Sequence, residues 1–171
     1  METAIVSIIC IALVVFGGMT MSRGFMTSVD TSTTTLEEIG TRNETIMRTN
    51  LSAVSAAQPA ADTLEIVLEN SGGTRLADYD KWDFIVQYFD NGGGYYSQWL
   101  PYTSGALGDN EWEVVWIRLN GAPEIFEAGV LNPGEQIMLR AQLNPEAGAG
   151  TTNMVTVSTP NGITASTYFS P

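Results

Sequence analysis

From Thr3 to Ser22 the chain reads T-A-I-V-S-I-I-C-I-A-L-V-V-F-G-G-M-T-M-S, and no charged residue lies between Glu2 and Arg23. At a rise of about 1.5 Å per residue, such a run in a helix spans roughly 30 Å, the thickness of a bilayer core. The helical pattern continues past Arg23. Between Phe25 and Ala57 there is no proline, and Gly40 is the only glycine. Leu36, Ile39, Ile46, Met47, Leu51 and Val54 recur at helical spacing and form one apolar stripe, with Thr, Ser, Asn and Arg on the other face. The spacing predicts one helix from about residue 3 to about residue 57. Pro59 closes it, so that residues 1–58 form the helical part and 59–62 a linker.

Beyond residue 63 the period changes from helix to strand. Leu64, Ile66 and Leu68 alternate with polar positions, as do Ile137, Leu139, Ala141 and Leu143. Trp82–Phe89, Trp112–Leu119, Val155–Val157 and Ile163–Phe169 read as further strands. Turn residues separate them at Asn70–Gly73, Asp90–Gly94, Asn132–Gly134 and Pro160–Gly162. In Asn132-Pro-Gly-Glu135 the proline suits the first position of a type II turn and the glycine the second. Seven or eight short strands at this spacing predict an antiparallel, Ig-like β-sandwich over residues 63–171, and with the helix an α+β fold.

A helix over residues 3–57 would extend roughly 80 Å, whereas a domain of about 110 residues is only about 30 Å across. Much of the helix therefore cannot pack on its own domain. Its first half is apolar all round and must be sheltered on every side, by lipid or by the same residues of neighbouring copies. The residues that would pack a filament core are Ile5, Ile8, Ile9, Ile11, Leu13, Val14, Phe16, Leu36, Ile39 and Ile46. Gly17, Gly18 and Gly24 mark places for a bend or a close approach. A signal peptide fits less well, because no basic residue precedes the run and no A-x-A site follows it. The missing basic leader suggests a processed N-terminus at residue 1. A plain membrane anchor with an amphipathic stalk is the competing reading. A carboxylate at Glu2 would pair with a free N-terminal amine or stay solvated at the helix start.

Composition narrows the function. Charged residues make up only 15% of the 171 residues, yet the formal charge is −12. From Asp62 onward there are 14 acidic and 4 basic residues, a balance of −10. Such a body repels nucleic acid and anionic lipid, so neither is expected as a partner of the mature protein. The absence of histidine removes the commonest general base and transition-metal ligand. The single cysteine, Cys10, lies inside the apolar run and reads as a small hydrophobe. No nucleophile–base pair, phosphate-binding loop or metal motif is visible, so no enzyme and no cofactor are expected.

Weaker candidates remain. Asp78, Asp80 and Asp83 cluster closely enough to raise a hard-cation site, although the glycine and terminal glutamate of an EF-hand loop are missing. Glu111 and Glu113 would share one face of a strand. Tyr95, Tyr96, Trp99 and Tyr102 gather around a glycine-rich segment that reads as a loop, as core packing or as a contact to a neighbour. Asn43 and Asn50 head N-x-S/T sequons, both on the predicted helix and on nearly the same face.

An apolar N-terminal helix, its amphipathic extension and a β-sandwich together resemble archaellins, subunits of the archaeal-type flagellum within the type IV pilin superfamily. Leu64–Gly73, Val130-Leu-Asn-Pro-Gly-Glu135 and Val157-Ser-Thr-Pro-Asn-Gly-Ile163 also resemble sandwich segments of archaellins and related archaellum proteins. Ile5 stands where bacterial-type pilins carry a glutamate. The resemblance implies a precursor in the cytoplasmic membrane, cleaved by a prepilin-type peptidase and moved by a membrane assembly platform into an extracellular homopolymer for swimming. Adhesive pilus subunit and membrane-anchored stator protein of the archaellum are the alternatives.

Overall fold

A computed structural model describes the chain from Glu2 to Pro171, with side chains from Thr3 onward; the charge pair expected at Glu2 lies outside the described residues. The chain divides into a helical unit that ends at Glu44 and a second unit, Thr45–Pro171. Helix α1 runs Glu2–Arg48 and passes through Gly17, Gly18, Gly24 and Gly40 without interruption.

The helix stops nine residues before the predicted end. After Arg48 the backbone turns into strand β1, Leu51–Ala60, which occupies the segment expected to be helix and linker. The cause is tertiary. The Thr49 amide still donates to the Ile46 carbonyl at 3.1 Å, but the Arg48 carbonyl accepts from Gly73 at 2.7 Å and the Asn50 carbonyl from Gly72 at 3.1 Å. The helix end is thus capped by the turn after the next strand rather than by a local glycine. Thr49 is buried; its hydroxyl donates to the Thr45 carbonyl at 2.7 Å and accepts from the Asn161 side-chain amide at 2.8 Å. Leu51, expected in the helical stripe, instead belongs to the sandwich core. Pro59 falls in the stretch between Ala57 and Ala60 where the β1 pairing register shifts, on an edge strand that can spare its missing N–H.

The second unit is the predicted two-sheet sandwich. The first sheet has the order β1-β2-β7-β5-β6, with β2 Thr63–Asn70, β5 Trp112–Leu119, β6 Ala122–Pro123 and β7 Gln136–Gln142. The second has the order β4-β3-β8-β9, with β3 Asp83–Phe89, β4 Tyr95–Leu100, β8 Asn153–Ser158 and β9 Thr164–Phe169. Every named strand pair is antiparallel. The segment Tyr95–Leu100, read as a loop from its glycine-rich approach, is therefore strand β4. Asp90 makes that hairpin: its Oδ1 accepts from the Gly92 and Gly94 amides at 2.8 and 2.7 Å.

The inward residues are those the alternation selects: Leu64, Ile66 and Leu68 on β2, Ile137, Leu139 and Ala141 on β7, Phe84, Val86 and Tyr88 on β3, Val155 and Val157 on β8. Phe84 stacks on Trp112 with ring centroids 5.5 Å apart, and the Trp82 indole N–H donates to the Ala77 carbonyl at 2.9 Å. Asn70 is fully buried; its amide donates to the carbonyls of Thr74 and Leu131, and its oxygen accepts from the Gly72 amide, which ties the turn that caps α1 to the core. At Asn132–Glu135, Gly134 has φ of 83° and the Glu135 amide donates to the Asn132 carbonyl at 3.1 Å, as a type II turn requires.

A candidate assembly surface on the N-terminal helix

Nine consecutive apolar or small residues, Ile8–Phe16, put an apolar side chain at every step around the helix, because successive residues turn by about 100°. Ile5, Ile8, Ile9, Ile11, Leu13, Val14 and Phe16 are all exposed in the single chain, Val14 to 74% and Phe16 to 70%. Leu36 and Ile39 are exposed as well. Ile46 is half-buried and lies within the second unit, where the last helical turn is held. Gly17, Gly18 and Gly24 have no atom near the place a methyl group would take, so each leaves the helix surface open to an approaching neighbour.

The segment after Arg23 is less polar than its composition suggests. Thr27, Thr31, Ser32, Thr33, Thr34 and Thr35 each turn the hydroxyl back onto the carbonyl four residues earlier, at 2.8–3.0 Å. Ser7 and Thr20 do the same nearer the start. A hydroxyl bonded in this way presents carbon outward and needs no partner from water. The surface that can be sheltered therefore extends to Leu36, about 50 Å of helix and well beyond one bilayer core. The sequence pattern missed this because it counts threonine as polar.

The other candidates disperse. Asp78 pairs with Lys81 at 2.8 Å, Asp83 accepts from the Trp99 indole N–H at 2.9 Å, and no group of three or more metal-ligating side chains converges among the described residues. Glu113 faces Arg140 at 3.7 Å in a pair that Glu65 completes at 2.7 Å, and the Glu111 side chain instead accepts from the Gly108 amide. Asn43 is exposed on α1, but Asn50 lies beyond the helix end, where its side-chain amide donates to the Ser71 hydroxyl at 2.8 Å. The two sequons therefore do not share a helical face.

The sandwich contributes two unlike outer faces. The first sheet turns Glu65, Glu69, Glu113, Arg118 and Arg140 outward, as the register of β2, β7 and β5 places them. The outer positions of the second sheet, on β3, β4, β8 and β9, carry a single charged residue, Asp83, among Tyr95, Trp99, Tyr168, Thr156 and Ser166. One carboxyl is buried below the β5–β6 end: Glu135, 2% exposed, accepts from the Asn132 amide at 2.6 Å and lies against Glu124. Burial raises its pKa, the Asn132 amide opposes this, and the neighbouring Glu124 raises it further. Glu124 itself is lowered by the amides of Glu127 and Phe126. Tyr79, whose buried hydroxyl finds no partner among the described residues, is raised by burial and then by Glu135, and borders a cavity of about 390 Å³.

No family model and no curated protein matches the chain. Solved structures do. The archaeal flagellum of Methanospirillum hungatei strain JF1 superposes at a TM-score of 0.53 with 15% identity, covering 99% of this chain and 91% of that one. The archaellum periplasmic stator complex of FlaF and FlaG from Sulfolobus acidocaldarius gives 0.53 at 22% identity over 70% of this chain and 88% of that one. The stator protein FlaG alone gives 0.50 at 22%, over 71% and 99%. The fold is that of archaellum proteins.

Proposed function

We propose that the chain is a structural component of an archaellum-type machine, and within it a subunit of the helical filament used for swimming. The observation that carries this reading is the helix: about 50 Å of α1, from Thr3 to Leu36, is exposed and, apart from Arg23 and Asp30, largely apolar or internally hydrogen-bonded, and has no shelter within its own unit. Copies of the same helix offer that shelter along the full length, whereas a bilayer covers about 30 Å of it. The structural match that includes the helix, over 99% of the chain, is to a filament, which supports the same choice.

The path to the filament is part of the proposal. The helix is long and apolar enough to cross a membrane, so a membrane-inserted precursor, trimmed by a prepilin-type peptidase, would hand its helix from lipid to a core of like helices. Within that core the gain comes from packing and excluded lipid rather than from transfer out of water. Each added copy presents a fresh end, a heterologous contact that does not close and so generates a helix. The acidic sandwiches would lie outside, kept soluble by their charge.

The second reading, a membrane-anchored stator component, draws on the stator proteins, which match 70–71% of the chain at the higher identity, 22%. Shearing distinguishes the two. Cells expressing the chain should release it, without detergent, as filaments visible by electron microscopy. Protein that stays with the membrane until detergent is added would overturn the filament reading in favour of the anchored one.

A further inference from the structure

Between Thr3 and Leu36 only two side chains are charged, Arg23 and Asp30. They carry opposite charge and stand seven residues apart. Seven residues turn a helix to within about 20° of two full turns, so both lie on one side of α1, separated along its axis by about 10.5 Å. Both are exposed, and neither has an ion-pair partner among the described residues. On the adjoining face the helix carries a groove lined by Ser22, Phe25, Met26, Val29 and Asp30.

We infer that Arg23 of one copy pairs with Asp30 of the next, and that this pair sets the axial stagger between neighbouring helices in the filament. The inference rests on the filament reading above. A charge taken into a core of packed helices must be paired, because an uncompensated one is strongly destabilising there. Within one chain the two groups are two turns apart. With that one side of every copy turned toward the common axis of the bundle, a parallel neighbour displaced by about 10.5 Å along the axis places its Arg23 level with this Asp30. The arginine stem can then lie along Met26, one turn before Asp30 on the same side, while its guanidinium meets the carboxylate.

The same geometry propagates. Each copy gives its Arg23 to one neighbour and its Asp30 to the other, so the contact is heterologous and leaves one unused charge at each end of a growing row. Apolar packing alone is tolerant of sliding, since one Ile–Val–Leu surface resembles another. A single buried polar pairing in an otherwise apolar helix interface fixes register, as polar residues do in coiled coils. In a membrane anchor no such pairing is needed, because Arg23 follows the apolar run at headgroup level and Asp30 lies in water.

The test is a charge swap in the full chain, read as filament mass recovered from sheared cells with the membrane-bound precursor measured in parallel. Arg23→Glu and Asp30→Lys should each reduce filament recovery at least tenfold while leaving the precursor in the membrane. The double variant Arg23→Glu/Asp30→Lys should return it to within about twofold of the unaltered chain. In a Cys10→Ser background, co-expressed Arg23→Cys and Asp30→Cys chains should oxidise to a disulfide-linked dimer of the two different variants within filaments. Single variants that assemble normally would overturn the pairing and leave the filament reading intact, as would a double variant as defective as either single one. An unaltered chain that yields no filaments at all would overturn the filament reading itself.

Discussion

A methyl group placed on Gly72 would stand 2.4 Å from the backbone nitrogen of Asn50 and 2.6 Å from the Arg48 carbonyl oxygen. Both obstacles are backbone, and both belong to the point where the helix hands over to the sandwich. No side chain can move aside to make room. Gly72→Ala should therefore force the turn away from the helix end and cost about 2–3 kcal/mol of sandwich stability. Denaturant unfolding of the purified chain measures it. Gly40→Ala, where a methyl group meets nothing, serves as the control and should leave the sandwich midpoint unchanged.

This junction is also where sequence pattern and structure part. Leu51 and Val54 sit three residues apart, a helical spacing, and the alanines that follow favour helix intrinsically. What decides is a contact far along the chain, the Gly72 and Gly73 amides on the carbonyls of Asn50 and Arg48, which no local window contains. Strand β5, by contrast, runs from Trp112 to Leu119 as its composition indicates, because its aromatic and β-branched residues and the flanking turns agree there. Strand β4 was hidden by the glycines before it, although Asp90-Asn-Gly carried a hairpin signal. For the candidate assembly surface, the apolar run was legible residue by residue. The inward bonding of the threonine hydroxyls was not, because it depends on the helix having formed.

Glu135 gives the sandwich a predictable response to pH. Its carboxyl is held above the ordinary carboxylate range by burial, so the folded state binds that proton more tightly than the unfolded chain. The contribution is therefore fully present at low pH and is lost as pH rises through the raised value. Glu124 runs the other way: lowered by the amides of Glu127 and Phe126, it stabilises above the ordinary range and loses its effect on acidification. Glu135→Gln keeps an acceptor for the Asn132 amide and removes the buried charge. Thermal unfolding should show the variant level with the unaltered protein at pH 4 and a few degrees more stable at pH 8, about 3 °C for a domain of this size. A gap that is constant with pH, or that reverses, would contradict the assignment.

The aspartates around residue 80 should be dispensable. Asp78 adopts a left-handed backbone conformation, φ 55°, and its carboxylate meets an exposed lysine. Asparagine is comfortable in the same conformation, and an exposed ion pair is worth little. Asp78→Asn combined with Asp80→Asn should change the unfolding free energy by less than about 0.5 kcal/mol, equally with and without calcium. A loss of stability confined to calcium-containing buffer would show that these side chains do bind the ion.

Val14 stands in the middle of the all-round apolar run, so a charge there has no solvent-facing side to escape to. A carboxylate among packed helices is uncompensated and strongly disfavoured. The precursor is less sensitive: the helix is long and apolar enough to cross a membrane, and one aspartate at the centre of a span costs only about 3 kcal/mol on insertion scales. Val14→Asp should therefore leave the chain in the membrane, leave the sandwich unfolding temperature within about 1 °C of normal, and abolish filaments. Three measurements check it: membrane fractionation, calorimetry of the purified protein, and electron microscopy of sheared material. Filaments of ordinary number and length from this variant would mean that residue 14 does not lie in a packed core, and the surface assigned to assembly would have to be sought elsewhere on the chain.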